Sequence, residues 1–185
     1  MREDLADAGH NAKGAMCTLG DMHPAHVWRD LTEPGSDQTP LTDELLDATE
    51  SQLGVRLPEA LVALLRARNG GVLQLRFPPG RNYNTVHYSI RGIGPKWPRI
   101  EKDAWWHDPE WGPPRPADAE WLIPFDGDGH WDLCLDYRRS PADSSGLRVH
   151  PAIVVVDTEK FEPNIESIVA ESFDGYLAQL VPDDE

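Results

Sequence analysis

WLIPFDGDGHWDLCLDY, residues 121–137, is the stretch whose pattern decides the fold. An apolar run comes first, a turn rich in aspartate and glycine follows, and an alternating run ends the segment. Aspartate and glycine accept the backbone angles of tight turns, and strict alternation is typical of a half-buried strand. The segment therefore predicts a β-hairpin. One face of its second strand would carry Trp131, Leu133, Leu135 and Tyr137, and the other His130, Asp132, Cys134 and Asp136.

The four aspartates of residues 126–136 also have the chemistry of a metal site or an acid catalyst. A calcium-binding EF-hand loop beginning at Asp126 needs glycine at its sixth position and glutamate at its twelfth, where Trp131 and Tyr137 stand. No HExxH or CxxC motif supports zinc, and no nucleophile motif accompanies the carboxylates. We therefore predict no metal, no cofactor and no enzymatic activity. A metal-dependent hydrolase using the segment from Asp126 to Asp132 is the least favoured alternative.

Two helices are predicted upstream of the hairpin, in LTDELLDATESQLGVRLP (residues 41–58) and PEALVALLRARNGG (residues 58–71). Thr42 can cap the first helix, acidic residues occupy its first turn, and a glycine ends it. Pro58 begins the second helix, whose leucines recur at helical spacing. We interpret the closing Asn69-Gly70-Gly71 as a C-cap of residues that tolerate positive φ, rather than as a phosphate-binding loop.

The remaining pattern predicts strands and a final helix. GVLQLRF (71–77) and TVHYSI (85–90) are short strand patterns, and the continuous apolar run AIVVVD (152–157) predicts a central strand buried on both faces. Apolar residues at helical spacing over 164–181 predict a C-terminal helix. Helices first, then strands, then one helix is the order of an α+β fold.

The chain has 185 residues, the length of one ordinary domain with an extension. We predict an N-terminal extension over residues 1–40, with a loose tail over 1–20, a short helix at about 23–32 and a linker over 33–40. Residues 41–182 would form a single domain. The chain has only two cysteines and no signal-peptide pattern, and no window approaches the ~20 apolar residues of a membrane span. We therefore expect a reduced cytoplasmic protein that is monomeric and has no membrane contact.

The charge is strongly acidic and unevenly distributed, with a formal net charge of −15. Residues 56–100 hold eight Arg or Lys and one acid, whereas residues 101–132 hold nine acids and two bases. Nucleic-acid binding needs clustered Lys and Arg on a basic surface, so this composition argues against a nucleic-acid partner. It favours a basic protein partner, because surfaces of opposite charge attract and orient one another.

A long segment between strands, residues 95–121, carries the candidate contact residues. It holds five tryptophans, a residue type enriched at binding hot spots, although each ring could instead pack the segment onto the sheet. We expect a protein-binding surface built from this segment and the polar side of the hairpin. Its candidate residues are Trp105, Trp106, His107, Asp108, Glu110, Trp111, Asp128, His130 and Asp132.

Three motifs in order resemble the SUKH superfamily, which joins fungal cell-wall-synthesis regulators to bacterial immunity proteins. They are ESQLGVRLPEALVALLRARNGG (50–71), WLIPFDGDGHWDLCLDY (121–137) and IVAESFDGYLAQL (168–180), and the resemblance covers about residues 41–181. It implies N-terminal helices and a C-terminal helix packed on a mostly antiparallel or mixed β-sheet. The residues shared with the superfamily, which we interpret as fold residues, are Leu57, Pro58, Asn69, Gly70, Gly71, Asp126, Gly127, Gly129, Leu135 and Phe173.

The resemblance also implies a function. Many bacterial members of the superfamily are thought to bind and neutralise a cognate polymorphic toxin, often a nuclease, without catalysis. An acidic chain with tryptophan and acid in one long segment suits the capture of such a basic toxin. A regulatory scaffold or a small-ligand-binding protein on the same fold is the alternative, since the aromatic segment could line a pocket.

Overall fold

A computed structural model describes residues 27–29, 39–78, 89–95, 99–100, 106, 110, 115–127, 129, 131–157 and 164–183, without the side chains of 164–167. The helices are α1 (Asp43–Leu53), α2 (Glu59–Ala67) and α3 (Phe173–Leu177), with a 3₁₀ turn at Ala119–Trp121. The strands are β1 (Gly71–Val72), β2 (Leu75–Arg76), β3 (Ser89–Ile90), β4 (Leu122–Gly127), β5 (Trp131–Asp136), β6 (Ala152–Asp157), β7 (Asn164–Ala170) and β8 (Val181–Pro182). The predicted α+β class is confirmed.

A four-stranded antiparallel sheet in the order β4-β5-β6-β7 forms the centre of the fold. The predicted hairpin is its β4–β5 pair, in which Leu122 lies opposite Asp136 and the register shifts between Pro124 and Asp126. The apolar strand β6 lies inside the sheet and is buried along most of its length, as its continuous pattern predicts. Two short antiparallel pairs, β1–β3 and β2–β8, form separate two-stranded sheets.

The first helix begins and ends where local chemistry predicts. Thr42 Oγ1 accepts a hydrogen bond from the backbone N–H of Leu45 at 3.2 Å, and Gly54 closes the helix with a left-handed φ of 71°. The acids Asp43 and Glu44 occupy the first turn, where the helix dipole favours negative charge. In α2, Leu61, Leu64 and Leu65 face the core, as their spacing predicts.

The C-cap interpretation of Asn69-Gly70-Gly71 is wrong. Helix α2 ends at Ala67, and Arg68 already has an extended φ of −157°. Gly70, with φ at 93°, instead lies against another part of the backbone: a Cβ there would be 2.7 Å from the backbone N of Gly92. The glycine of this motif therefore allows two chain segments to pack closely, which a residue with a side chain would prevent.

The amide of Asn69 joins the segments that meet at this approach. Its Nδ2 donates hydrogen bonds to the carbonyl oxygens of Thr39 and Ile93, both at 2.7 Å, and its Oδ1 accepts one from the N–H of Ile93 at 2.8 Å. Asn69 is buried, so these bonds satisfy polar groups that would otherwise be costly to bury. The motif thus fixes the chain just before α1 and the chain after β3 to the end of α2.

The predicted helix over residues 164–181 is also wrong in its first half. Residues 164–170 form strand β7, which pairs with β6, and only Phe173–Leu177 are helical. Apolar residues with β-branched side chains favour a strand once a partner strand is available, and spacing alone does not exclude it. The short helix α3 begins at Ser172, whose side chain accepts a hydrogen bond from the N–H of Gly175 at 3.1 Å.

The strands β4, β5 and β6 are covered on both faces over most of their length. The main core joins α1, α2 and α3 to one face and includes edge-to-face contacts of Phe125 with Phe173 and Tyr176. A second cluster covers the other face with Trp106, Ala119, Leu122, Cys134, Val154 and Val156. The prediction that β5 is half-buried is therefore wrong, because its polar face is buried too: Asp132 and Cys134 are both 0% exposed.

Residues 27–29, which precede α1, also contribute to the core. Trp28 pairs in antiparallel fashion with Leu73, Arg29 donates a backbone hydrogen bond to Val72 at 2.9 Å, and Val27 is buried. Residues 27–29 thus run beside the chain between β1 and β2, and the rest of the predicted helix at 23–32 and the predicted tail over 1–20 lie outside the described residues. Within the described parts of the chain, no helix has the length and apolar character needed to cross a membrane.

Candidate protein-binding surface

A buried ion pair supports the base of the hairpin turn. Arg91 Nη2 lies 2.6 Å from Asp132 Oδ1, and the two side chains are 5% and 0% exposed. The same nitrogen lies 3.3 Å from the carbonyl oxygen of Gly127. A Cβ at Gly127 would be 2.4 Å from Asp132 Oδ1, so this glycine lets the carboxylate approach the turn. Asp132 therefore acts inside the fold, and its charge is compensated by Arg91.

Asp126 has a comparable internal role. Its Oδ1 accepts hydrogen bonds from Ser89 Oγ at 2.7 Å and from the N–H of Gly127 at 2.8 Å. The carboxylate is 2% exposed and joins the end of β4 to β3. Arg91 and Ser89 were not identified from sequence. The only signal that could have found them is the polar and charged pair inside the apolar pattern of SIRGIG, residues 89–94.

The structure describes three of the candidate contact residues, and they differ in exposure. Glu110 is exposed, whereas Trp106 is 1% exposed and belongs to the cluster beneath the sheet, and Asp132 is buried with Arg91. Trp106 and Asp132 are therefore buried and do not themselves offer a contact surface. The other candidates, which lie outside the described residues, are Trp105, His107, Asp108, Trp111, Asp128 and His130.

The residues that the family resemblance assigns to the fold lie at structural positions. Leu57, Leu135 and Phe173 are buried, and Pro58 precedes the first residue of α2. Gly129 has a positive φ of 92° with open space around it, which fits a turn residue.

No metal site is apparent in the described part of the chain. There, no group of three or more His, Cys, Asp or Glu residues could hold a metal ion. Cys134 is buried, and burial raises the pKa of its thiol well above the usual value, with the charge of Asp132 adding to the effect. Thiolate chemistry is thereby disfavoured at this cysteine.

Two grooves open on the described surface. The first, of about 330 Å³, lies between α1 and α2 and has Leu46, Leu57 and Val62 among its lining residues. The second, of about 550 Å³, lies beside β5, β6 and β7 and is lined in part by Val154 and by Ile168, which is 57% exposed.

The two grooves differ in their charged groups. In the second groove Arg138 donates hydrogen bonds from Nε and Nη2 to the two carboxylate oxygens of Asp136, at 2.8 and 2.7 Å. Burial raises the pKa of Asp136, but the hydrogen bonds and charge of Arg138 outweigh this and hold the pKa below its usual value. The second groove is thus bordered by a compensated pair, whereas the exposed acids Asp47 and Glu59 border the first together with Arg56 and Arg66.

The floor of the first groove contains a buried carboxylate. Glu50 is 3% exposed. Its Oε1 accepts a hydrogen bond from the backbone N–H of Leu57 at 2.8 Å. Its Oε2 accepts one from Arg56 Nη1 at 2.7 Å. Tyr137 donates its hydroxyl to the carbonyl oxygen of Arg56 at 2.7 Å. Burial raises the pKa of Tyr137, and the negative charge of Glu50 raises it further. Glu50 is thus hydrogen-bonded to the chain through both of its oxygens beneath the groove.

Comparison with known proteins gives a family match. The model of the SMI1/KNR4 family (SUKH-1) matches residues 40–179, which include both N-terminal helices, the central sheet and α3. No curated protein and no solved structure matches the chain.

Proposed function

The chain belongs to the SMI1/KNR4 (SUKH-1) family, and from this premise we propose that it is a non-catalytic binding protein that neutralises a cognate toxin, as an immunity protein does. The observation that carries the proposal is the family match over residues 40–179. The match covers the elements that build the core, and not only one short motif. We therefore apply the family's general role as binding proteins to this chain.

The charge supports a basic toxin. The net charge is −15, and the exposed residues of the chain include Glu110, Asp47 and Glu59. A toxin that handles nucleic acid needs a basic surface to bind phosphates, so an acidic inhibitor would meet that surface with complementary charge. Blocking it requires no catalysis by the inhibitor.

The contact surface of the proposal combines the exposed acid Glu110 with its neighbours in the long segment and the tip of the hairpin. These neighbours are Trp105, His107, Asp108, Trp111, Asp128 and His130. Trp106 and Asp132, which are next to several of these residues in the chain, are held in the fold by an apolar cluster and by Arg91. Acids at the rim would speed capture, and tryptophans desolvated in the complex would slow its dissociation.

The alternatives have less support. Trp106 is enclosed in an apolar cluster, so its ring is a packing residue and not the wall of a ligand pocket. The interpretation of the aromatic segment as the wall of a small-ligand pocket is therefore weaker. A regulatory scaffold would still be a protein-binding role on the same fold. A hydrolase built on residues 126–132 would need Asp126 and Asp132 at a solvent-accessible site, and both are buried.

Co-expression with the toxin encoded beside the gene tests the proposal. We expect the chain to restore growth of a host that expresses the toxin, and the two purified proteins to elute as a single complex on size-exclusion chromatography. The complex should contain one copy of each chain and form in the cytoplasm. Failure to restore growth, together with no complex, would contradict the proposal.

A pair of matched variants tests the contact surface separately. Asp108→Lys with Glu110→Lys reverses two acids of the proposed surface, and Glu120→Lys with Asp174→Lys reverses two acids elsewhere with the same change in net charge. Glu110, Glu120 and Asp174 are exposed. We expect the first variant to lose protection at toxin levels that the second still tolerates. Equal protection by both would remove this surface from the proposal.

A further inference from the structure

The groove between α1 and α2 combines an apolar floor with an acidic rim. Leu46 and Val62 are partly buried and contact the core from the two helices, and Leu57 lies between them in the chain. Asp47 on α1 and Glu59 on α2 line the same groove and are exposed. A volume of about 330 Å³ is enough for one or two side chains of a partner, at the lower end of protein binding sites.

Two arginines, Arg56 and Arg66, also line the groove, and each is paired with an acid. Arg66 pairs with Asp43, and Arg56 pairs with Glu50 and lies 3.6 Å from Asp143. Within the described chain neither Asp47 nor Glu59 takes part in an ion pair. Helix α1 itself has four acids and no Lys or Arg. The groove and its surroundings therefore carry an excess of negative charge.

Glu50 adds a negative charge at the floor of the groove. Each of its oxygens accepts one hydrogen bond, from Leu57 and from Arg56, whereas a carboxylate has about four acceptor positions. Its charge raises the pKa of Arg56, whose side chain is 47% exposed. Because Glu50 is buried, a partner's cation would sense its charge without contacting the carboxylate.

We propose that this groove binds a segment of a protein partner in which an apolar side chain is flanked by Lys or Arg. The apolar side chain lies over Leu46 and Val62, and the flanking bases pair with Asp47 and Glu59. The proposal rests on the proposed function only for the identity of the partner, the basic toxin. It adds a second contact surface, on the helices, to the one formed by the long segment and the hairpin.

The test is a titration of the full ¹⁵N-labelled chain with the peptide KRLKRLK, followed by amide chemical shifts. We expect saturable shift changes that include the amides of Val62 and Ala63, which line the groove. The peptide KRSKRSK, with the same charge and no apolar side chain, should bind at least about fivefold more weakly, because it cannot bury leucine. Equal binding of the two peptides, or shift changes away from α1 and α2, would overturn the proposal.

Matched charge reversals complete the test. Asp47→Lys with Glu59→Lys should weaken binding of the leucine peptide about tenfold, because two attractive contacts become repulsive. Glu120→Lys with Asp174→Lys changes the net charge equally and should weaken it less than about twofold. Equal weakening by both variants would mean that the peptide senses only net charge, which contradicts a specific groove.

The titration needs no toxin, so its outcome separates the groove from the proposed function. Peptide binding at the groove without growth rescue would contradict the immunity role and leave the groove as a site for another basic partner. Growth rescue by the chain, with no peptide binding at α1 and α2, would contradict the groove alone.

Discussion

Gly70 lies where two backbone segments touch, and its replacement would combine two separate costs. Its φ of 93° strains any residue with a side chain, and a Cβ would lie 2.7 Å from the backbone N of Gly92. We expect Gly70→Val to lower the melting temperature by several degrees. The matched control is Gly146→Val, where φ is 86° but nothing lies within 4 Å of the added Cβ.

The control isolates the close approach from the backbone strain. Strain alone costs on the order of 1–3 kcal/mol, and forcing atoms into a filled space adds about 1–3 kcal/mol. Each kcal/mol corresponds to about 2–4 °C in melting temperature for a domain of this size. Differential scanning fluorimetry should therefore place Gly70→Val below Gly146→Val. Equal melting temperatures would show that the approach to Gly92 can relax at little cost.

The Arg91–Asp132 pair predicts a large effect of a small chemical change. Asp132→Asn removes a charge that is 0% exposed and leaves Arg91, 5% exposed, without its carboxylate. Breaking a buried ion pair by removing one partner costs about 3–5 kcal/mol. Urea unfolding should show a loss of this size. Asp43→Asn, which removes the exposed partner of Arg66, should cost no more than about 1 kcal/mol.

A loss below about 1 kcal/mol for Asp132→Asn would indicate that water reaches the pair and that the hairpin base is open. In that case Asp132 would return to the candidate contact surface. Asp128→Ala and His130→Ala at the tip of the same hairpin are expected to leave the fold intact, and their melting temperatures should equal that of the parent chain.

At the scale of elements, the sequence predicts those whose signals are local. Thr42, Gly54 and Pro58 mark the ends of helices through their own hydrogen bonds and backbone angles, and the Asp-Gly turn marks the hairpin. Strand β7 was missed because apolar spacing over 164–170 fits a helix or a strand, and the choice depends on pairing with β6.

The candidate site was less predictable for the same reason. Alternation correctly divides β5 into two faces, but it cannot tell whether the polar face meets water. The answer depends on Arg91, which is 41 residues away in the chain, and on Trp106, which covers Cys134 from the long segment. Contacts between segments that are distant in the chain produce no recognisable spacing pattern in the sequence.

Burial of both faces of β5 predicts a protected thiol. Cys134 is 0% exposed, and burial raises the pKa of its thiol well above the usual value, so both access and thiolate formation are suppressed. In a Cys17→Ser background we expect a maleimide reagent to label the native chain only as fast as the sheet opens. The urea-unfolded chain should label at one thiol within minutes. Rapid labelling of the native chain would contradict the covered second face.

At the scale of the whole molecule, negative charge and specific contacts have different roles. The net charge of −15 acts over about a Debye length, ~8 Å at physiological ionic strength, and does not depend on which acids meet the partner. In the proposed complex, the apolar groove floor between α1 and α2 and the tryptophans Trp105 and Trp111 of the long segment would act only on contact. Charge should therefore govern how fast a basic toxin is captured, and buried contacts should govern how long it stays.

This division predicts the kinetics of the toxin complex. Surface plasmon resonance between 50 and 500 mM NaCl should show the association rate constant falling by about tenfold or more, while the dissociation rate constant changes far less. Glu120→Lys with Asp174→Lys should lower the association rate at 50 mM NaCl and flatten its salt dependence without changing dissociation, because these acids contribute only long-range attraction. An association rate independent of salt would instead assign recognition to apolar contacts alone and leave the acidity of the chain with a role in solubility.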